Sequence, residues 1–255
     1  MKVIVCIKGI YSRFPYENNN KSDITTINPY DLFALNDVLS VARNNEFSTV
    51  CLSMGEQCDR DILIQCLAMG ADQGVLLSDF AFYKSDTIAK SYLLALAIKK
   101  LMPCSLIVCG NINLNCGSGQ FVYGLSQRLQ IPCIKNVKQI VEIDESSAVI
   151  KIFSGGFIET VRIRLPAIIA YQELTINQEI ISLLDLKKAK KKGVSVLTAL
   201  DLGADIKRCG VLGSKIKVLN MSPNHSLQKS AEVKMINGSS TEKASLIKKI
   251  IEGRV

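Results

Sequence analysis

Four short runs in the first half of the chain are apolar at almost every position: Lys2–Ile7, Val50–Met54, Val75–Leu77 and Leu106–Cys109. A strand apolar at successive positions has both faces buried. The segments between these runs carry apolar residues at helical spacing. In the first of them Asn28 can cap, Pro29 suits the first helical position, and Leu32, Leu35, Val38, Leu39 and Ala42 share a face. Ile62, Cys66 and Met69 line a second helix stopped by Gly70, and Ser85 or Asp86 can cap a third bearing Ile88, Tyr92 and Leu96. The polar stretch Tyr11–Thr26 reads as a loop. Strand and helix in alternation predict an α/β fold, a mostly parallel Rossmann-like sheet with helices on both faces.

After Pro132 the period changes. Val137–Ile143, Ala148–Phe153 and Thr160–Leu165 read as strands with turns at Asp144-Glu145 and Gly155-Gly156, an antiparallel addition. Ala167–Tyr171 returns to an apolar strand, and the sheet is expected to end near residue 172. Beyond Gln172 the rhythm is lost: a lysine-rich loop comes first, then a strand-like Ile216–Leu219, then a polar linker to about Ser239. Ser239 and Glu242 form a capping box for a last helix with Leu246, Ile247, Ile250 and Ile251 on one face.

Composition excludes several classes. With 255 residues and 48% hydrophobic content the chain can bury a full core, yet no apolar run approaches the roughly 18 residues of a membrane span. No membrane insertion is expected. The apolar N-terminus is too short for a signal peptide and lacks a small-residue cleavage site, so a cytoplasmic location is expected. Nine cysteines, an odd number without a CxxC pair, point to reduced thiols. The sole histidine, His225, has no neighbouring ligands, and no metal site is expected. Much of the net charge of +8 sits in Lys187–Lys192. Without an RNA-binding aromatic signature, helix-turn-helix or zinc module, that run suits an acidic protein partner better than nucleic acid. No GxSxG or HExxH motif occurs, and no catalytic residue is assigned.

One segment invites a ligand. Ser105–Gln120 reads as a buried strand, a turn bearing Gly110, Gly117 and Gly119, and the start of a helix. Ser118 and Gln120 would stand near that helix's N-terminus, where free N–H groups and the dipole favour a phosphate. Taken alone, the segment is equally a plain strand-to-helix turn.

Distributed motifs add a resemblance. Ile4-Val5-Cys6-Ile7-Lys8, Asn28-Pro29-Tyr30-Asp31, Ala68-Met69-Gly70-Ala71-Asp72, Leu183 with Lys188-Ala189-Lys190-Lys191-Lys192, and Asp201-Leu202-Gly203-Ala204-Asp205 occur in this order over nearly the whole chain. In this they resemble the β subunit of electron-transfer flavoproteins, including nitrogen-fixation-associated and electron-bifurcating members. The resemblance implies an electron carrier subunit, not an enzyme, in a heterodimer whose α subunit mainly holds the redox FAD. It implies an adenine-nucleotide-binding domain over 1–172, with AMP or a second FAD in this chain, and a partner-recognition loop and arm embracing α over 173–255. The family's nucleotide pocket falls on Cys6, Asn28, Pro29, Tyr30, Asp31 and Met54, and on Gly110, Asn111, Asn113, Asn115, Cys116, Gly117, Ser118, Gly119, Gln120 and Phe121. Strand ends and helix starts of this kind are where the open-sheet rule independently places a ligand. Leu183 corresponds to the family's partner-anchoring leucine, directed at an acyl-CoA dehydrogenase or similar flavoenzyme, with Lys188, Lys190, Lys191 and Lys192 as a charged rim.

The chain departs from the family in the same loop. Where Asp-Gly-Asp-Thr, a small residue and Gln are usual, it has Asn115-Cys116-Gly117-Ser118-Gly119-Gln120, and Asn111-Ile112 replaces a Lys-Gln pair. Two other readings therefore stand beside the first: a stand-alone adenine-nucleotide-binding module, and a structural β subunit that has lost its nucleotide pocket.

Overall fold

Successive side chains of a strand point to opposite faces, so a run apolar throughout needs a core on each side. The first strand, β1 (Lys2–Cys6), meets that requirement. Val3 and Val5, with Ile7 beyond its end, enter one apolar cluster, while Ile4 and Cys6 enter another on the opposite face. The alternation recurs further on, with Leu106, Val108, Ile169 and Tyr171 on the first side and Ile107, Cys109, Ile168 and Ala170 on the second. The computed structural model describes residues 1–11, 25–43, 47–112, 119–172, 181–217, 219 and 238–252. They fall into two compact units, 1–217 and 218–255.

Two short strands, β2 (Gly9–Tyr11) and β3 (Thr25–Ile27), pair antiparallel. The stretch read as a loop thus begins and ends in a small sheet, and its middle lies outside the described residues. Then comes α1 (Pro29–Ala42). Asn28 does not cap it through its side chain; its amide Nδ2 donates instead to the Ile112 carbonyl, 3.0 Å away. Next in the chain are β4 (Ser48–Met54), α2 (Arg60–Met69), β5 (Gln73–Leu77), α3 (Thr87–Leu101), β6 (Leu106–Gly110) and α4 (Phe121–Leu129). Gly70, at φ +121°, ends α2. Asp86 caps α3, its Oδ1 accepting the Ile88 and Ala89 N–H groups at 2.9 Å each.

The antiparallel addition is β7 (Cys133–Ile143), β8 (Ser147–Ser154) and β9 (Phe157–Arg164), followed by the apolar β10 (Ala167–Tyr171). The lysine-rich segment is helical rather than a loop: α5 (Leu183–Lys192). Ser182 caps its start, Asp185 sits in the first turn and Lys190–Lys192 in the last, all favourable to the helix dipole. Ala189 and Leu186 face the core, which decides the matter. A further strand, β11 (Ser195–Leu197), then pairs parallel with β5, so the sheet continues past residue 172. After α6 (Ala199–Leu202) and α7 (Gly210–Gly213), Ile216 and Lys217 lie in no strand. The second unit contains α8 (Ser240–Ile251), with the Ser239–Glu242 capping box formed and Leu246, Ile247, Ile250 and Ile251 exposed.

Strand order in the main sheet is β11-β5-β4-β1-β6-β10-β7-β8-β9. It is parallel from β11 to β7 and antiparallel through β8 and β9. Residues of α1, α2 and α5 cover one face, and those of α3, α4 and α6 the other.

A polar node fastens α1 to the sheet. Asp37 on α1 accepts the Tyr171 hydroxyl and, at 2.7 Å, the Ile140 backbone N–H. Burial raises the Asp37 carboxyl, and it raises the fully buried Tyr171 phenol further beside that carboxylate. Tyr171→Phe keeps the ring and removes the donor. It is expected to lower unfolding free energy by about 1–3 kcal/mol, measured by chemical denaturation; an unchanged midpoint would show the tie to be dispensable.

Candidate functional site

The strand order reverses between β1 and β6. From β1 the chain runs outward through β4 and β5; β6, β10 and β7 lie on the other side. In open α/β sheets the crevice outside the carboxyl ends at such a reversal is where ligands bind. Four stretches converge there: the end of β1 at Cys6–Lys8, the entry to α1, the end of β6 at Gly110–Ile112, and Gly119–Phe121 before and into α4. They enclose a cavity of about 120 Å³.

Asp31 spans the crevice floor. Its Oδ2 accepts the Lys8 N–H at 2.9 Å and its Oδ1 the Gly110 N–H at 2.8 Å, one bond to each diverging strand end. Gly110 is required by this approach, since a Cβ there would lie 2.4 Å from Asp31 Oδ1 and 2.7 Å from Tyr30 Cβ. Burial pushes the Asp31 carboxyl up to about 6, against the opposing pull of the Gly110, Lys8 and Asn28 hydrogen bonds and the Lys8 charge.

Two amides complete the floor. Asn28 is 2% exposed and Asn111 8%. Asn28 spends its Nδ2 on the Ile112 carbonyl, and Asn111 Nδ2 donates to Asn136 Oδ1 at 3.2 Å. Neither Oδ1 has a hydrogen-bond partner. A buried acceptor left unpaired costs about 1–3 kcal/mol, so a pair of them in one cavity marks a place for hydrogen-bond donors from outside the chain. Leu52, Leu94 and Phe121 give the same cavity apolar walls. Apolar walls for a flat ring and free acceptors for N–H or O–H groups fit an adenine nucleoside.

Of the residues singled out in the sequence, Cys6, Asn28, Asp31, Met54, Gly110, Asn111, Gly119 and Phe121 line this cavity. Pro29 starts α1, Tyr30 is buried against Gly110, and Gln120 is exposed just before α4. Asn113, Asn115, Cys116, Gly117 and Ser118 lie outside the described residues. Sequence reasoning missed Lys8, Thr87, Lys90 and Leu94, which also line it. The last three come from α3, whose approach to the crevice no local pattern announces. Leu183, away from the cavity lining, opens α5 and is 78% exposed. Lys188 pairs with Asp185 at 3.5 Å, Lys190 and Lys191 are exposed, and Lys192 Nζ lies 3.5 Å from the Ala71 carbonyl.

The profile of the electron transfer flavoprotein domain matches residues 20–202. Protein FixA of Azorhizobium caulinodans is 31% identical over 84% of this chain and 81% of its own length. The electron transfer flavoprotein subunit beta of Clostridium acetobutylicum is 31% identical over 77% of this chain and 75% of its own. The chain belongs to the electron transfer flavoprotein β-subunit family. A further relative, the caffeyl-CoA reductase-Etf complex subunit CarD of Acetobacterium woodii, is 28% identical over 86% of each chain. The protein is thus a β-type electron-transfer subunit rather than a classical enzyme. Among the described residues no helix is long and apolar enough to cross a membrane.

The Asp31 carboxyl gives this β subunit a pH signature. Below about pH 4 it is protonated in folded and unfolded chains alike and contributes nothing. Above the folded value of about 6 it is ionised in both, and its burial counts against the fold. Between pH 4 and 7 this group is therefore expected to remove on the order of 3 kcal/mol of stability. Urea unfolding at both pH values should show a smaller fall for Asp31→Asn; equal falls would refute the assignment.

Proposed function

We propose that this β subunit holds an adenine nucleotide, AMP or a second FAD, in the crevice between β1 and β6. Joined to an α subunit that carries the redox FAD, it passes electrons in the cytoplasm between a flavoenzyme, such as an acyl-CoA dehydrogenase, and a downstream acceptor. The observation that carries the nucleotide reading is the pair of unpartnered buried oxygens, Asn28 Oδ1 and Asn111 Oδ1, in an apolar-walled cavity at the strand-order reversal.

In this reading Asn28 and Asn111 accept hydrogen bonds from the nucleoside, and Leu52, Leu94 and Phe121 exclude water from its ring. Asp31 fixes the spacing of the strand ends without touching the redox chemistry. FAD, when bound, supplies electron storage; the chain positions it. Residues 1–172 provide the nucleotide-binding layer, and 173–255 face the partners. Leu183, apolar and exposed at the head of a lysine-bearing helix, suits an anchor in an acidic-rimmed flavoenzyme pocket. The name of the Acetobacterium relative, a subunit of a caffeyl-CoA reductase-Etf complex, supports a partner that handles acyl-CoA compounds.

Denaturing the complex purified with its α subunit and identifying the released molecules by chromatography tests the reading. An adenine nucleotide in near-stoichiometric amount, beyond the FAD of α, is expected; none would leave a structural β subunit with an empty crevice. Leu183→Ala is expected to slow electron transfer with the partner flavoenzyme about tenfold, as for loss of an interface anchor, with nucleotide content unchanged.

A further inference from the structure

A second hollow adjoins the first. It is an open groove of about 590 Å³, and it shares Lys8, Met54 and Lys90 with the inner cavity as a common wall. The inner cavity alone is smaller than the roughly 300–1,000 Å³ usual for cofactor pockets, whereas the groove is of that size. Its far side carries Phe80 and Tyr83, whose rings stack at 6.5 Å with 8° between their planes, and Phe80 is 91% exposed.

Lys90, in the first turn of α3, is half-buried at the junction of the two hollows. Among the described residues its ammonium has neither a hydrogen bond nor an ion pair. The nearby carboxylates are committed elsewhere. Asp86 accepts four backbone N–H groups, from Ile88, Ala89, Lys215 and Ile216. Asp79 accepts from Ala81 and Ala199, Asp31 from Lys8 and Gly110, and Glu56 and Asp59 cap one another's backbone. A half-desolvated cation with no internal counter-charge, beside a second lysine, calls for an anion from outside.

We propose that Lys90 binds the second phosphate of the nucleotide, so that the site takes an adenine dinucleotide rather than a mononucleotide. This rests on the nucleotide reading given above. With the nucleoside on Asn28 and Asn111, the first phosphate remains in the inner cavity near Gly119. The second reaches the common wall, where Lys90 makes a charge-assisted contact. The ligand then continues into the outer groove, past a half-buried Met54 towards the stacked aromatic pair. A mononucleotide would end before the junction and leave both the ammonium and the groove unused.

Titration of the full chain, freed of co-purified nucleotide, with AMP, ADP and FAD by calorimetry decides the matter. ADP is expected to bind at least about tenfold tighter than AMP, the scale of a charged hydrogen bond, with FAD at least as tight as ADP. Lys90→Gln should shrink the ADP-over-AMP margin to within about twofold while moving AMP affinity little, and Lys90→Arg should retain it. In the wild-type chain the margin should fall as salt is raised, a reading that needs no variant. Equal affinities for AMP and ADP, a margin indifferent to salt, or a margin that survives Lys90→Gln would overturn the proposal. Binding of AMP without the margin would leave the nucleotide reading intact; failure of the folded wild-type chain to bind any of the three would remove both.

Discussion

One carboxylate spans the place where the sheet divides. β1 and β6 are neighbours, but the connections that follow them lead to opposite edges, and their ends open a crevice lined by backbone. N–H groups in such a crevice need acceptors. Asp31 supplies one to each strand end, through different oxygens. The absence of a Cβ at Gly110 lets it come close enough. The same bonds set where Asn28 and Asn111 stand, since one precedes Asp31 by a turn and the other follows Gly110. A buried charge thus fixes the geometry of the site while weakening the fold, with desolvation outweighing the hydrogen bonds it accepts.

The parts of the fold legible in the sequence are those with enough residues to show a period. Runs such as Ile4–Ile7 and Leu106–Cys109 revealed strands buried on both faces, and Gly70, Asp86 and Ser239 marked helix ends through specific backbone chemistry. What stayed hidden lacked either signal. β11 has three residues, too few for a pattern, and is a strand because β5 offers it an open edge. In α5 the lysines obscure a narrow apolar stripe, and only packing against α2 makes Leu186 and Ala189 inward residues. Asn28 has the composition of a cap, but a distant carbonyl at Ile112 takes its amide.

For the site, the open-sheet rule and the family resemblance pointed to the same loops, and much of what they named lines one cavity. The wall from α3 was not legible, because which helix closes a crevice is a matter of topology rather than motif. That wall changes how the departures at 111–112 are understood. Ile112 contributes its backbone carbonyl, which side-chain identity does not affect, and Asn111 contributes an acceptor oxygen. The positive charge of the crevice comes instead from Lys8 and Lys90.

The late strand β11 has a consequence for how the chain is made. After Tyr171 the backbone leaves the middle of the sheet, and it returns at Ser195 to cover β5 at the far edge. Until that return is synthesised, β5 presents a row of unpaired backbone groups, the kind of edge that recruits other chains. Three residues from the lysine-rich half of the molecule therefore act as a seam cover for its apolar half. A fragment cut where the obvious strand–helix rhythm stops would carry the crevice but expose a sticky border, and would be prone to aggregate for reasons unrelated to the ligand.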